Sequence, residues 1–264
     1  MNTWKWTVLS DGWTEAHEAI LLSGGSWRKI VRCFATAVLL ENERHGAVLF
    51  DTGYSSRFFT ETAQWPYRIY RFLAPATLSE PEGIAGILRR RGIAPESVPH
   101  VIVSHWHADH IGGLRDFPNA AIHASKEGWD AVKDLTGLAA VRKGFLPGLV
   151  PADLGERLRW LEDGGDLFGD GSIAAIALPG HAAGQIGIRF AGSDGRPVLL
   201  AADACWLSAA FRGNRMPHGV TALLHDWEAY RQTLARLHRL HLEEPELTIV
   251  PCHCPETAAR IARP

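Results

Sequence analysis

His105-Trp106-His107-Ala108-Asp109-His110 follows closely on the short, apolar, β-branched run Val98-Pro99-His100-Val101-Ile102-Val103. The run reads as a buried strand, and the residues after it crowd ligand-type side chains into one short segment. Imidazole suits zinc, iron or nickel, and carboxylate adds a harder oxygen donor. His105 and His107 stand two apart, so both can face one ion from an extended or tightly turned segment. Asp109 and His110 follow at once and can face a second. A lone His-X-His pair carries little information. A dense cluster at the end of a buried strand, where α/β proteins place their chemistry, carries a great deal.

The same pattern recurs outward from this stretch. Ile173–Leu178 is an apolar strand followed by Pro179-Gly180-His181, and Gln185–Phe190 reads as its partner. Arg196–Ala202 ends at Asp203, and Leu247–Val250 ends at Pro251-Cys252-His253-Cys254. Upstream, Phe34–Leu40 and Ala47–Phe50 read as a hairpin joined through a polar turn, and the second strand stops at Asp51-Thr52-Gly53. Strand ends on one side of a core converge even when they are far apart in sequence, and a metal site needs such convergence.

Helices are expected where Ser79-Glu80-Pro81-Glu82 matches a capping box, over Ser125–Leu138, and after Asp226, with Tyr230, Leu234, Leu237 and Leu240 facing inward. The segment Tyr54–Leu78 is rich in aromatic residues, is interrupted by Pro66 and Pro75, and reads as neither a regular strand nor a regular helix. It is treated as an aromatic insertion in one domain spanning 1–264. Its Trp65 and Tyr67 are candidates for an apolar substrate pocket, with a homodimer contact or a covering loop as the alternatives.

Composition sets limits. The chain has 264 residues, 46% hydrophobic, with 27 basic and 29 acidic side chains and a formal net charge of -2. No basic excess favours nucleic acid as a partner, and no long apolar run suggests a membrane span. The expected partner is a small-molecule substrate. Four cysteines do not make a disulfide framework in a chain this long, so a reducing, cytoplasmic setting is expected. Cys252 and Cys254 flank His253. In an extended segment the neighbours of an inward residue point away, so both are expected to be small packing residues.

Taken together, His105-X-His107-X-Asp109-His110, Asp51-Thr52-Gly53, Pro179-Gly180-His181-X-X-Gly184-Gln185, Asp203 and His253 resemble the metallo-β-lactamase superfamily in residue type and chain order. The resemblance implies an α/β fold, a four-layer αββα sandwich with the site along one edge. It implies one metal on His105, His107 and His181, and another on Asp109, His110 and His253. Asp203 would bridge the two, and Asp51 would orient a ligand histidine. Two divalent ions are implied, zinc by default, with iron and manganese also compatible. They would share a hydroxide, and Asp109 or a metal-bound water would pass a proton to the leaving group.

Class B β-lactamases lack the full set that includes the bridging aspartate. The chain is most similar to the N-acyl-homoserine lactone lactonase group, which implies cleavage of an ester or lactone. Phosphotriester or thioester hydrolysis is the alternative within the enzymes. A metal-binding sensor or binding module is the alternative outside them. One departure stands out: those lactonases often carry a tyrosine three residues after the bridging aspartate, and here that residue is Trp206. Indole offers a donor only, and one that is differently placed.

Overall fold

In the computed structural model, residues 2–79, 82–219, 221 and 226–260 are described. Among the described residues, ten strands form two sheets. The first is built from β1 (Lys5–His17), β2 (Ile30–Asn42), β3 (Gly46–Phe50), β4 (His100–Ile102), β5 (Ala121–Ala124) and β6 (Leu158–Trp160), paired in that order. The second comprises β7 (Ile173–Ala177), β8 (Ile186–Ala191), β9 (Pro197–Ala202) and β10 (Thr248–Pro251), ordered β10-β9-β8-β7. β1, β2 and β3 pair antiparallel, and β3 to β6 run parallel.

The layers follow from alternation along the strands. Side chains at i and i+2 share a sheet face. Val38, Leu40, Val48, Phe50 and Ile102 of the first sheet pack against Ile173, Ile188, Val198, Leu200 and Val250 of the second, forming the central layer. The intervening residues point outward. Leu39, Leu49, Val101 and Ile122 meet Phe58, Ile84, Leu88 and Leu114 on one outer face. Leu199, Ala201 and Ile249 meet Phe211, Leu234 and Leu237 on the other. Helices therefore cover both outer faces, giving the expected αββα sandwich.

Parallel pairing aligns the strand ends. β3 and β4 run parallel, and so do β9 and β10. β7 is antiparallel to β8, which is antiparallel to β9, so β7 points the same way as β9. Asp51, His105, His181, Asp203 and His253 each follow one of these C-terminal ends.

Several expectations are revised. Tyr54–Leu78 contains two short helices, Arg57–Glu61 and Arg68–Leu73, and its Tyr54 and Phe58 are buried in the outer core. The segment is thus a covering layer on the first sheet. Pro66 sits just ahead of the second helix, where its fixed φ is tolerated. The helix expected over Ser125–Leu138 is broken: Lys126–Asp130 and Gly137–Arg142 are separate, and Gly137 has φ +59°. The capping box at 79–82 includes residues 80 and 81, which lie outside the described residues; the helix there begins at Gly83. No described helix is long and apolar enough to cross a membrane.

Leu49 is fully buried in the middle of β3. Leu49→Ala is expected to lower unfolding free energy by about 2–5 kcal/mol, whereas Leu242→Ala, on an exposed side chain, should change it by no more than about 0.5 kcal/mol. Urea unfolding of the metal-free chain reads both.

Candidate metal centre

The sequence-predicted donors meet at one edge of the sandwich in two adjoining clusters. His105, His107 and His181 form one, and their ligand atoms lie within 4.8 Å of one another. His110, Asp203, Cys252 and His253 form the other under the same limit. Asp109 borders the second, its Oδ2 3.4 Å from His253 Nε2 and 3.6 Å from His110 Nε2. Asp203 joins the two clusters: its Oδ2 is 3.2 Å from His181 Nε2 and 3.0 Å from His253 Nε2, and its Oδ1 is 3.4 Å from His110 Nε2.

These spacings fit metal ions. Two nitrogen or oxygen donors about 2.0–2.1 Å from one tetrahedral zinc stand roughly 3.3 Å apart. His181 Nε2 to His107 Nδ1 is 3.0 Å, and the Asp203 and Asp109 separations, from 3.0 to 3.6 Å, lie on both sides of the ideal spacing. His105 Nε2 supplies a further test: it is buried and has no hydrogen-bond partner. An orphaned buried nitrogen costs about 1–3 kcal/mol, and coordination removes that cost.

Protein groups fix the outward-facing side of three of the imidazoles, His105, His110 and His253. Asp51 Oδ2 is 2.8 Å from His110 Nδ1 and also accepts from Ser104 Oγ at 2.8 Å. Asp51 Oδ1 accepts from the Ser104 amide, and Ser104 Oγ is in turn 3.0 Å from His105 Nδ1. His253 Nδ1 donates to the Phe34 carbonyl at 2.7 Å. Each contact leaves the other ring nitrogen for the site. Asp51 and Ala202, at the ends of β3 and β9, hold φ of 60° and 44°. Such left-handed backbone is uncommon outside glycine, and here it turns the chain sharply at the site. Gly180 has φ +126°, and a Cβ there would lie 2.2 Å from Tyr230 N, so glycine lets the Pro179-Gly180-His181 loop dock on the helix Trp227–Glu243.

Charge divides the two clusters. Burial, together with His110, His107 and His181, holds His105 well below its ordinary value, which keeps it neutral and ready to coordinate. Burial also opposes charge on His110, but Asp109 and Asp51 outweigh it and hold that ring well above its ordinary value. His253 is likewise raised against burial, chiefly by Asp203. Burial would raise the Asp203 carboxyl, yet His253, His181 and His110 hold it well below the usual carboxylate range.

Trp206 lies where a residue supporting the site or its pocket is expected, and Cys252 departs from expectation. The Trp206 indole donates to Asp203 Oδ2 at 3.1 Å, so its N–H is directed at the carboxylate. Cys252 does not point away from the site. β10 ends at Pro251 and the chain bends through 252 and 253, so strand alternation no longer applies. The Cys252 thiol donates to Asp203 Oδ1 at 3.1 Å and lies 3.9 Å from His110 Nε2. Cys254 does point away, its sulfur 3.3 Å from both N and Oγ of Ser208.

A cleft of about 1040 Å³ opens beside His107 and His181, lined by Trp106, Val132, Leu135, Leu138 and Trp206 among others. Trp65 and Tyr67 are not in its wall. Trp65 is 72% exposed, and the Tyr67 hydroxyl accepts from the Gly137 amide at 3.0 Å. The aromatic segment contributes Tyr70, Leu73 and Ala74 instead. Their i, i+3, i+4 spacing marks one helical face, a signal available in the sequence once the segment is read as helix. Burial, with Asp109 nearby, pushes the Tyr70 phenol up and keeps it protonated.

Two donor clusters joined by one buried carboxylate, at the edge of an αββα sandwich, define a protein built to carry a pair of metal ions. The comparisons with known proteins carry this further. A match to the metallo-beta-lactamase superfamily spans residues 30–253, and the chain belongs to that superfamily. The N-acyl homoserine lactonase AttM of Rhizobium radiobacter is 29% identical over 190 residues, covering 70% of this chain and 69% of its own. The N-acyl homoserine lactonase AiiB of Agrobacterium fabrum is 26% identical over 231 residues, covering 82% and 78%. A solved N-acyl homoserine lactone hydrolase, with the product N-hexanoyl-L-homoserine at its catalytic metal centre, shares the fold. Its TM-score is 0.77 at 20% identity, over 98% of this chain and 96% of that one.

Asp51→Asn preserves shape but sets an amide against His110 and Ser104. Metal affinity is expected to fall about 10–100-fold, read as metal content after dialysis against a graded chelator. Unchanged retention would remove Asp51 from the account.

Proposed function

We propose that the protein is a dimetal hydrolase that opens a lactone or ester carrying an apolar acyl chain. The observation that carries this reading is the adjacency of the donor clusters to a cleft with an apolar wall of Leu73, Val132, Leu135 and Leu138: His107 and His181 belong to both. The lactonase relatives support it. In this reading His105, His107 and His181 hold one ion, and Asp109, His110 and His253 hold the other, with Asp203 between them. Zinc is the default for such donors.

A bound pair of divalent ions supplies a water that is acidic enough to act near neutral pH and a Lewis acid for the carbonyl. The chain's own residues do the rest. Asp51 and the Phe34 carbonyl hold His110 and His253 with Nε2 inward. Trp206 steadies Asp203 through its indole N–H and walls the cleft. With that N–H engaged, Trp206 does not take the part of the lactonase tyrosine in polarising the substrate. Asp109 has more of its carboxylate exposed than Asp203, 13% against 3%, and is the group placed to pass a proton to the departing oxygen. Leu135, Leu138, Val132 and Leu73 receive the acyl chain.

The test is a substrate panel on protein loaded with two metal equivalents: acyl-homoserine lactones of rising chain length, aryl esters, a phosphotriester and a thioester. Lactone or ester turnover should dominate. Each methylene that enters the cleft should raise kcat/KM by up to about fourfold, the equivalent of about 0.8 kcal/mol. His105→Ala and Asp203→Ala should abolish turnover. A dominant phosphotriesterase rate would overturn the substrate reading, and silence across the panel with both metals bound would favour a sensor or binding module.

A further inference from the structure

Cys252 is the one donor in the second cluster that the superfamily pattern leaves without a role. We propose that it is a thiolate ligand of the second metal ion, giving that half of the centre a sulfur donor and a preference for thiophilic ions. The inference rests on the dimetal reading above.

The geometry is that of a ligand. A sulfur about 2.3 Å and a nitrogen or oxygen about 2.0 Å from one zinc ion stand roughly 3.5 Å apart at a donor angle of about 110°. Cys252 Sγ lies 3.1 Å from Asp203 Oδ1 and 3.9 Å from His110 Nε2, on either side of that value. Its ligand atom shares the 4.8 Å cluster with His110, Asp203 and His253. The backbone holds the residue there. Cys252 N donates to the Ala202 carbonyl at 3.2 Å, and Thr36 Oγ1 donates to the Cys252 carbonyl at 2.7 Å. The thiol is therefore tied to the same β9 end that presents Asp203.

A packing role fits these contacts poorly. Cys254, two residues on, sits in an apolar cluster with Leu207 and Ala210 and its sulfur meets the amide and hydroxyl of Ser208, whereas the Cys252 sulfur meets a carboxylate and an imidazole of the donor cluster. As a neutral thiol it is a weak donor to Asp203. When metal binds, the S–H bond breaks, the proton leaves to solvent, and the electron pair left on Sγ forms the metal–sulfur bond. Soft sulfur favours zinc and cobalt over manganese.

X-ray absorption on the unmodified dizinc protein tests this without a variant. The expected result is a sulfur shell at about 2.3 Å averaging half a sulfur per zinc. In the dicobalt protein, a sulfur-to-cobalt charge-transfer band should appear in the near ultraviolet, vanish in Cys252→Ser with both cobalt ions retained, and persist in Cys254→Ser. Cys252→Ser should also lower zinc retention relative to manganese by about tenfold or more. Two zinc ions bound with only nitrogen and oxygen scatterers would overturn the thiolate while leaving the dimetal reading intact. Failure to bind a second metal would overturn both.

Discussion

The Asp203 carboxylate is buried between two groups of histidines, and the site depends on that placement. A carboxylate so far from water is costly unless opposite charge and hydrogen bonds surround it. Here His253, His181, His110, Trp206 and Cys252 all approach it. His253, Cys252, Trp206 and His181 lie past strand ends of the second sheet and His110 past β4 of the first, so the full set surrounds the carboxylate only when the two sheets are stacked. The central apolar layer between the sheets, from Val38 and Phe50 across to Leu200 and Val250, sets that stacking. Packing and site chemistry are coupled through this one residue.

The rest of the centre follows from where strands stop. β3, β4, β7, β9 and β10 all end at the same edge, and left-handed turns at Asp51 and Ala202 direct two of those ends inward. A hydrolytic centre of this kind needs rigid elements behind it and open space in front. The sheets supply the first. The cleft walled by Trp106, Leu135, Leu138 and Trp206 supplies the second.

Much of this was legible in the sequence because it is local. The run from His105 to His110 encodes its own density of donors, and a strand that ends at Asp203 or before His253 is readable from a few apolar residues. Leu39 and Leu49 alternate with Val38, Leu40, Val48 and Phe50 in a way that already implies two covered faces. What was not legible depends on backbone direction outside regular structure. Cys252 reads as pointing away only if the chain stays extended, and the bend after Pro251 turns it inward. Trp65 and Tyr67 were singled out for their bulk, yet Tyr70 and Leu73 line the cleft because they share a helical face. The donation from Trp206 to Asp203 needed three dimensions, since indole spacing along the chain says nothing about its target.

The central claim is that two metal ions sit side by side in the two clusters. Anomalous diffraction from crystals of the metal-loaded protein tests it most directly. The account predicts two peaks about 3.5–4 Å apart, one beside His105, His107 and His181 and the other beside His110 and His253, with Asp203 between them. A single peak, or metal bound away from these residues, would contradict it.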